Sequence, residues 1–313
     1  MSYAEAGPHS RKARKMWSPA ASSDSGLDIV QVGLYGLDHE HSPDWTMAQA
    51  TRGGAMTIKT TEGWVPNEVT ARIGARVRWE DVVSDIDWDQ AIVRLSPPPM
   101  PDYVRSSIHG LEGGYSKPGA AATWDPVVKE IFAEYFENET EQRDLLSAQV
   151  DSVPSRVLDV ACGTGESTLA WRRRFPRAQI TSIDVSPYML AVAERKLAHD
   201  RNIDVRCLNA EHLPFADGSF DLVTASLLFH ELPEDVSPVI LAEMRRVSRP
   251  GGEIAVMEPY RVGGKALKPI PFPEPYLKDY LATNWDVAFK AAGFGAVQTL
   301  EYGEGWIRIA TAF

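Results

Sequence analysis

Cysteine is nearly absent from this chain: Cys162 and Cys207 are the two among 313 residues. A secreted disulfide scaffold uses many more, and neither belongs to a Cys-x-x-Cys pair, so a disulfide framework and a cysteine-based structural zinc site are both excluded. Long apolar runs are missing too. No stretch approaches the roughly 18 to 20 residues that a membrane-spanning helix needs, and the start lacks the apolar centre of a secretory signal. Positive charge is in deficit, with 32 Lys and Arg against 43 Asp and Glu, for a net charge of −11. Most of such a surface repels a polyanion, so no nucleic-acid partner is expected. The absences together predict a soluble protein of a reducing, cytoplasmic compartment.

What is present is ordinary for a globular protein with a sizeable core: 44% hydrophobic and 24% charged residues. Residues 1–25 are rich in Ala, Ser, Lys and Arg, lack any hydrophobic period, and are expected to form a disordered tail. Its basic cluster of Arg11, Lys12, Arg14 and Lys15 leaves organelle targeting open. Residues 26–100 differ. Apolar runs recur at 27–37, 55–58, 75–83 and 91–95, and five of the nine tryptophans lie in the first hundred residues (Trp17, Trp45, Trp64, Trp79, Trp88). This region reads as an N-terminal extension of short strands that pack on the core or on the acceptor side of a site. Pro97, Pro98, Pro99 and Pro101 then form a stiff break.

Residues 101–313 alternate strand and helix. Helix starts are signalled by a capping residue and a proline at Asp125-Pro126, Ser186-Pro187 and Ser237-Pro238, each followed by apolar residues spaced three and four apart. Between them lie apolar runs with strand character at 156–160, 179–183, 203–208, 220–225 and 253–257. That alternation predicts an α/β fold with a doubly wound, mostly parallel sheet. The runs at 295–300 and 306–312 predict an antiparallel C-terminal hairpin at the sheet edge, which completes seven strands.

The strongest local signal is Asp159-Val160-Ala161-Cys162-Gly163-Thr164-Gly165, an apolar strand that ends in a small-residue turn and opens a helix. Gly163 and Gly165 let the backbone approach a ligand, and the helix start points free N–H groups at the same place. Asp184 ends the second strand, where an acidic residue holds ribose hydroxyls in nucleotide-binding sheets. Asn209-Ala210-Glu211 follows the third strand, and Phe220-Asp221-Leu222-Val223 enters the fourth.

This ordered set resembles the class I S-adenosylmethionine-dependent methyltransferases, and within them the ubiquinone/menaquinone-biosynthesis type. The matching stretches are LDVACGTGEST, ITSIDVSPYMLAVAERK, LNAEHLPFADGSFDLVTASLLFHELPED and EMRRVSRPGGEIAVMEP. The segment PDYVRSSIHGLEGGYSKPGAAATWDP also resembles the approach to this domain in a branch found in photosynthetic organisms. The resemblance implies a Rossmann-like fold, S-adenosylmethionine as cofactor and a small-molecule methyl acceptor. It implies that Asp159, Ala161, Gly163 and Gly165 line the methionine part and that Asp184 takes the ribose. Val185 and Met189 would lie against the adenine, with Asn209, Ala210 and Glu211 at its edge. Ser226 and Leu227 would face the sulfur, and Tyr115 would close over it. Two positions depart from the pattern: Ala161 stands where a third glycine is common, and Asn209 where an aspartate is common.

His230 and Glu231 follow the fourth strand, where the resemblance places acceptor-side residues, and they are the catalytic candidates. Methyl transfer mainly needs alignment. A base is required only for an acceptor that holds its proton, and an imidazole suits that task. No metal site is expected. Asp85, Asp87 and Asp89 mimic the start of a calcium loop but lack its glycine and its final glutamate, and His39-Glu40-His41 has no further partner in view. Arg172, Arg173 and Arg174 point in different directions on one helix. Trp124 and Trp285 could line an acceptor pocket, yet a tryptophan is more often core. Two alternatives stay open: an NAD-dependent oxidoreductase, against which Thr168 stands at the third glycine position of G-x-G-x-x-G, and a non-catalytic cofactor-binding module.

Overall fold

Five runs become five parallel strands: those at 156–160, 220–225 and 253–257 are buried on both faces, whereas the run at 203–208, at the sheet edge, leaves Asp204 and Arg206 exposed. In the computed structural model, residues 76–77, 83–132, 138–259, 274–302 and 305–312 are described, all within the unit Ala48–Phe313. The sheet contains β1 (Arg156–Val160), β2 (Gln179–Asp184), β3 (Ile203–Cys207), β4 (Phe220–Ser226), β5 (Ser248–Glu258), β6 (Phe294–Tyr302) and β7 (Gly305–Ala312). Their spatial order is β3-β2-β1-β4-β5-β7-β6. Strands β1 to β5 run parallel, and β7 is antiparallel to both β5 and β6. The five strands and the hairpin expected within residues 101–313 are all present. β7 sits inside and β6 takes the edge, so the hairpin folds back between β5 and solvent.

The helices are α1 (Trp88–Leu95), α2 (Pro118–Glu130), α3 (Glu139–Ala148), α4 (Glu166–Arg174), α5 (Pro187–Leu197), α6 (Val236–Val247), α7 (Leu277–Ala282) and α8 (Trp285–Ala291). Helix α5 starts as expected: Ser186 accepts the Met189 N–H and Pro187 is the first helical residue. Helix α6 starts at Val236, one residue before the expected cap. Helix α2 corrects the expectation more strongly. It begins at Pro118, and Pro126 lies inside it. An internal proline leaves the carbonyl four residues back without its helical partner. Here that carbonyl, on Ala122, accepts the Val83 N–H at 3.0 Å, so the lost bond is replaced from outside.

The run at 91–95 is a second correction. Read as a strand, it would place Ala91, Val93 and Leu95 on one face. It is helical instead: Trp88 and Ala91 are buried while Val93 is 81% exposed. Asp87, one of the carboxylates of the false calcium loop, caps α1 by accepting the Gln90 N–H at 3.0 Å. The buried face of α1 packs on Met189, Ala191 and Val192 of α5 and on Ala120 to Ala122 of α2. Salt bridges Arg94–Glu194 at 2.6 Å and Arg195–Asp85 at 2.8 Å flank the contact. The three arginines of α4 diverge, to Asp200, Asp144 and the carbonyls of Ser147 and Val150. Trp285 belongs to the core with Phe229, Tyr280 and Trp306. Among the described residues no helix is long and apolar enough to cross a membrane. The expected tail, most of the extension, His39-Glu40-His41, and Tyr135 and Phe136, which continue the apolar spacing after Asp125-Pro126, lie outside the described residues.

Candidate functional site

The strand order reverses between β1 and β4, and open α/β sheets bind ligands in the crevice beyond the strand ends at such a point. A cavity of about 440 Å3 lies there, a size suited to a nucleotide-like ligand. Its floor is the residues that follow the parallel strands: Ala161 to Thr164 after β1, Asp184 and Val185 at β2, Leu208 to Ala210 after β3, Ser226 to Leu228 at β4, and Pro259 after β5. Its roof is the approach segment, with Tyr103, Val104, Ile108, His109, Tyr115 and Trp124.

The two glycines of the turn do different jobs. Gly163 has φ +54, and a Cβ added there would meet no atom within 4 Å. Its open side faces the cavity, and its N–H donates to Asp184 Oδ2 at 3.0 Å. Gly165, φ +91, would press a Cβ to within 3.1 Å of Leu197 and 3.4 Å of Ala193. It serves helix packing and is not part of the cavity wall. Ala161, at φ +55, occupies a conformation that favours glycine. His109 and Leu227 also have positive φ, at 53° and 60°. Ala161, His109 and Leu227 all line the cavity, and strain of this kind concentrates at functional sites.

Asp184 is fixed by the N–H groups of Gly163 and Ser186 at 3.0 and 2.8 Å. Burial still outweighs those bonds and pushes its carboxyl up to about 6. Asp159 is fully buried beneath the turn and does not reach the cavity wall. It accepts from Ser167 and Thr168, both at 2.7 Å, and burial pushes it up to about 6 against those two bonds. Thr168 also bonds Ser182 of β2 at 2.9 Å. The position where a dinucleotide fold needs its third glycine is thus filled by a hydrogen-bonded hydroxyl. Of the other expected cofactor residues, Tyr115, Val185, Met189, Asn209, Ala210, Ser226 and Leu227 line the cavity. Glu211 does not. It stands behind Asn209 and accepts from Tyr103 Oη at 2.9 Å.

His230, buried, and Glu231, partly buried, line the cavity, and most of their partners were not singled out from the sequence. Glu258, at the end of β5, has no exposed surface. Its carboxylate accepts the N–H groups of Leu228 and Phe229 at 2.9 and 2.8 Å, and that of His230 at 3.3 Å. The short turn Phe229–Glu231 is therefore wound around one carboxylate, which also holds His230 Nδ1 at 2.8 Å. Glu231 Oε1 meets His109 Nε2 at 2.6 Å and Tyr115 Oη at 2.7 Å. His109 Nδ1 pairs with Glu274. Burial works against charge on His109, but Glu274 and Glu231 together outweigh it and push the ring up to about 10. Burial likewise opposes charge on His230, and Glu258 outweighs it to raise the ring. Burial would raise Glu231, yet His109, His230 and the Tyr115 hydroxyl hold it below the usual range. The Tyr115 hydroxyl is pushed well up by burial and then by Glu231.

Sequence reasoning missed His109, Glu258 and Glu274. His109 sits in the quoted approach segment, and a histidine in a glycine-dense turn was the available signal. Glu258 follows the apolar run Ile254 to Met257, a weak signal beside the other acid of the strand, Glu253. Glu274 carried no signal. A polar latch was also missed at the other end of the cavity: Thr164 donates to Asp125 at 2.5 Å, and Lys196 bridges Asp125 and Glu166 at 2.7 and 2.5 Å.

Residues 157–252 match the protein family described as "Methyltransferase domain". A demethylmenaquinone methyltransferase of Thermus thermophilus is 39% identical over 119 residues, which is 37% of this chain and 53% of that protein. One from Staphylococcus aureus is 39% identical over 105 residues, 33% of this chain and 43% of that protein. The chain thus spans about half the length of the curated relatives it matches. Among solved structures, an S-adenosylmethionine-dependent methyltransferase from Aquifex aeolicus is 21% identical, covering 63% of this chain and 99% of that chain with a TM-score of 0.47.

Proposed function

We propose that this chain, which carries a class I S-adenosylmethionine-dependent methyltransferase domain resembling the demethylmenaquinone methyltransferase type, transfers the sulfonium methyl group to a small-molecule acceptor by direct displacement. One observation carries the reading: the glycine turn, the ribose-type acid Asp184 and the buried His230–Glu231 end open into the same cavity. Cofactor and acceptor would share one enclosed space, as a direct transfer requires.

In this reading Ala161 and Gly163 meet the methionine part of the cofactor, and Asp184 accepts the ribose hydroxyls. Val185 and Met189 pack against the adenine, with Asn209 and Ala210 at its edge. Ser226 and Leu227 lie near the sulfur, and Tyr115 closes from the roof. Asp159, Gly165 and Glu211 shape the pocket from behind its wall. The acceptor's electron pair attacks the methyl carbon, the carbon–sulfur bond breaks, and a neutral thioether leaves. The sulfonium is already activated, so alignment is the main task and is worth several kcal/mol, roughly 7 in well-oriented systems. His230 and Glu231 are the groups the acceptor touches. Trp124, Val128 and Phe132 supply an apolar wall beside them, which fits a compact, largely apolar acceptor with one polar group.

Incubation with S-adenosylmethionine and a panel of hydroxylated aromatic acceptors tests this. Formation of S-adenosylhomocysteine that depends on one acceptor class is the expected result. Cofactor binding without acceptor-dependent turnover across acceptors with oxygen, nitrogen, sulfur and carbon nucleophiles would favour the non-catalytic module.

A further inference from the structure

Two buried histidines at the acceptor end share an arrangement that cofactor binding does not require. Each has its Nδ1 against a carboxylate, His230 on Glu258 at 2.8 Å and His109 on Glu274. Each therefore turns its Nε2 toward the same point. Glu231 Oε1 lies there as well, 2.6 Å from His109 Nε2 and 3.7 Å from His230 Nε2. Among the described residues, this is the group whose ligand atoms all fall within 4.8 Å of one another.

We propose that His109, His230 and Glu231 form a binding site for a divalent transition-metal cation of the zinc class, with its open coordination position facing the cavity. Two imidazoles and one carboxylate suit zinc, iron or cobalt rather than magnesium or calcium. Three protein ligands with a vacant fourth position are the pattern of a reactive metal rather than a structural one. The carboxylates behind both rings match the outer partners that orient metal-bound histidines and raise their basicity. Charge agrees. Glu231, Glu258 and Glu274 are 16%, 0% and 5% exposed, and three such carboxylates facing two imidazoles accommodate two positive charges, whether two protons or one dication. Loading requires a modest rearrangement. Bonds of about 2.0–2.1 Å in a tetrahedron place ligand atoms roughly 3.3 Å apart, so the His109–Glu231 pair opens and the His230–Glu231 pair closes slightly. An acceptor oxygen at the open position would be polarised and would lose its proton more readily.

The inference stands apart from methyl transfer and is tested without the cofactor. The full chain is stripped with a chelator and titrated with Zn2+ by calorimetry and with Co2+ by visible absorption. One equivalent of each, with the intense ligand-field bands of four-coordinate cobalt, is expected. Glu231→Gln, nearly isosteric, and His109→Ala should lose the bands. Glu274→Gln should weaken binding roughly 10- to 100-fold, and Asp184→Ala should leave it unchanged. No stoichiometric binding, or equal binding by Glu231→Gln and the double variant His109→Ala/His230→Ala, would overturn the site. If the metal fails while S-adenosylmethionine still binds, the methyltransferase reading survives. If the metal binds and the cofactor does not, that reading alone falls.

Discussion

The two ends of the cavity are built in opposite ways. At the end read as the cofactor's, backbone groups do most of the work: the N–H groups of Gly163, in the turn after β1, and of Ser186, after β2, converge on the Asp184 carboxylate. At the end read as the acceptor's, the polar cluster is gathered from four distant places: His109 and Tyr115 in the roof, His230 and Glu231 after β4, Glu258 at the end of β5, and Glu274 before α7. The first end joins two adjacent strands through backbone groups that each short turn presents by itself. The second depends on side chains from four segments that meet only once the sheet and its roof have formed. The difference implies that damage at the acceptor end spreads into folding, whereas damage at the cofactor end stays in binding.

Removing Glu258 should produce the largest effect. The Glu258→Ala variant leaves three N–H groups and a buried imidazole without their shared acceptor, and a loss of about 3–5 kcal/mol of stability is expected. Urea denaturation measures it, and a loss under about 1 kcal/mol would erase the contrast between the two ends. Next comes His230→Ala, expected to lower turnover on the order of 100-fold through misplacement of the acceptor at unchanged cofactor affinity. A matching loss of cofactor affinity in calorimetry would mean that the two ends are not separable.

The pH response sharpens the comparison at the cofactor end. Burial raises Asp184 to about 6, so its carboxylate is ionised and able to accept ribose hydroxyls above that pH. Affinity for S-adenosylmethionine is therefore present near neutrality and declines as pH falls through 6, reaching about a tenfold loss one unit below. A flat affinity from pH 7.5 to 5 would show that the ribose does not rely on this carboxylate. The smallest effect belongs to Ala161→Gly. With φ +55 at Ala161, glycine should stabilise the fold by about 0.5–1 kcal/mol, read as a raised midpoint in the same urea titration.

Legibility in the sequence followed the same division. Strands β1, β4 and β5 were readable because burial on both faces leaves continuous apolar runs, the edge strand β3 because Ile203, Val205 and Cys207 alternate with polar residues, and Ser186-Pro187 marked α5 to the residue. Helix α1 was not, since Ala91, Val93 and Leu95 alternate like a strand and only the packing of Trp88 and Ala91 on α5 decides for a helix. Helix α2 was misplaced because Asp125-Pro126 imitates a helix start, and the rescue of Ala122 by Val83 is a long-range event. At the site, Gly163 and Asp184 were legible as motif positions. That Asp159 braces Ser167 and Thr168 from below, and that Gly165 makes room for Leu197, depend on packing that no motif encodes. His230 and Glu231 were singled out through their place after β4 and line the cavity, while His109, Glu258 and Glu274 became visible only when the fold brought them together.

The central claim is a cofactor site built on Asp184 and the glycine turn. Calorimetric titration of the full chain with S-adenosylmethionine and, separately, with NAD tests it most directly, alongside Asp184→Ala. The account predicts binding of S-adenosylmethionine, no comparable binding of NAD, and a loss in the variant of about 2–3 kcal/mol, roughly 30- to 150-fold in affinity. Preferential binding of NAD, or S-adenosylmethionine binding that the variant leaves untouched, would contradict it.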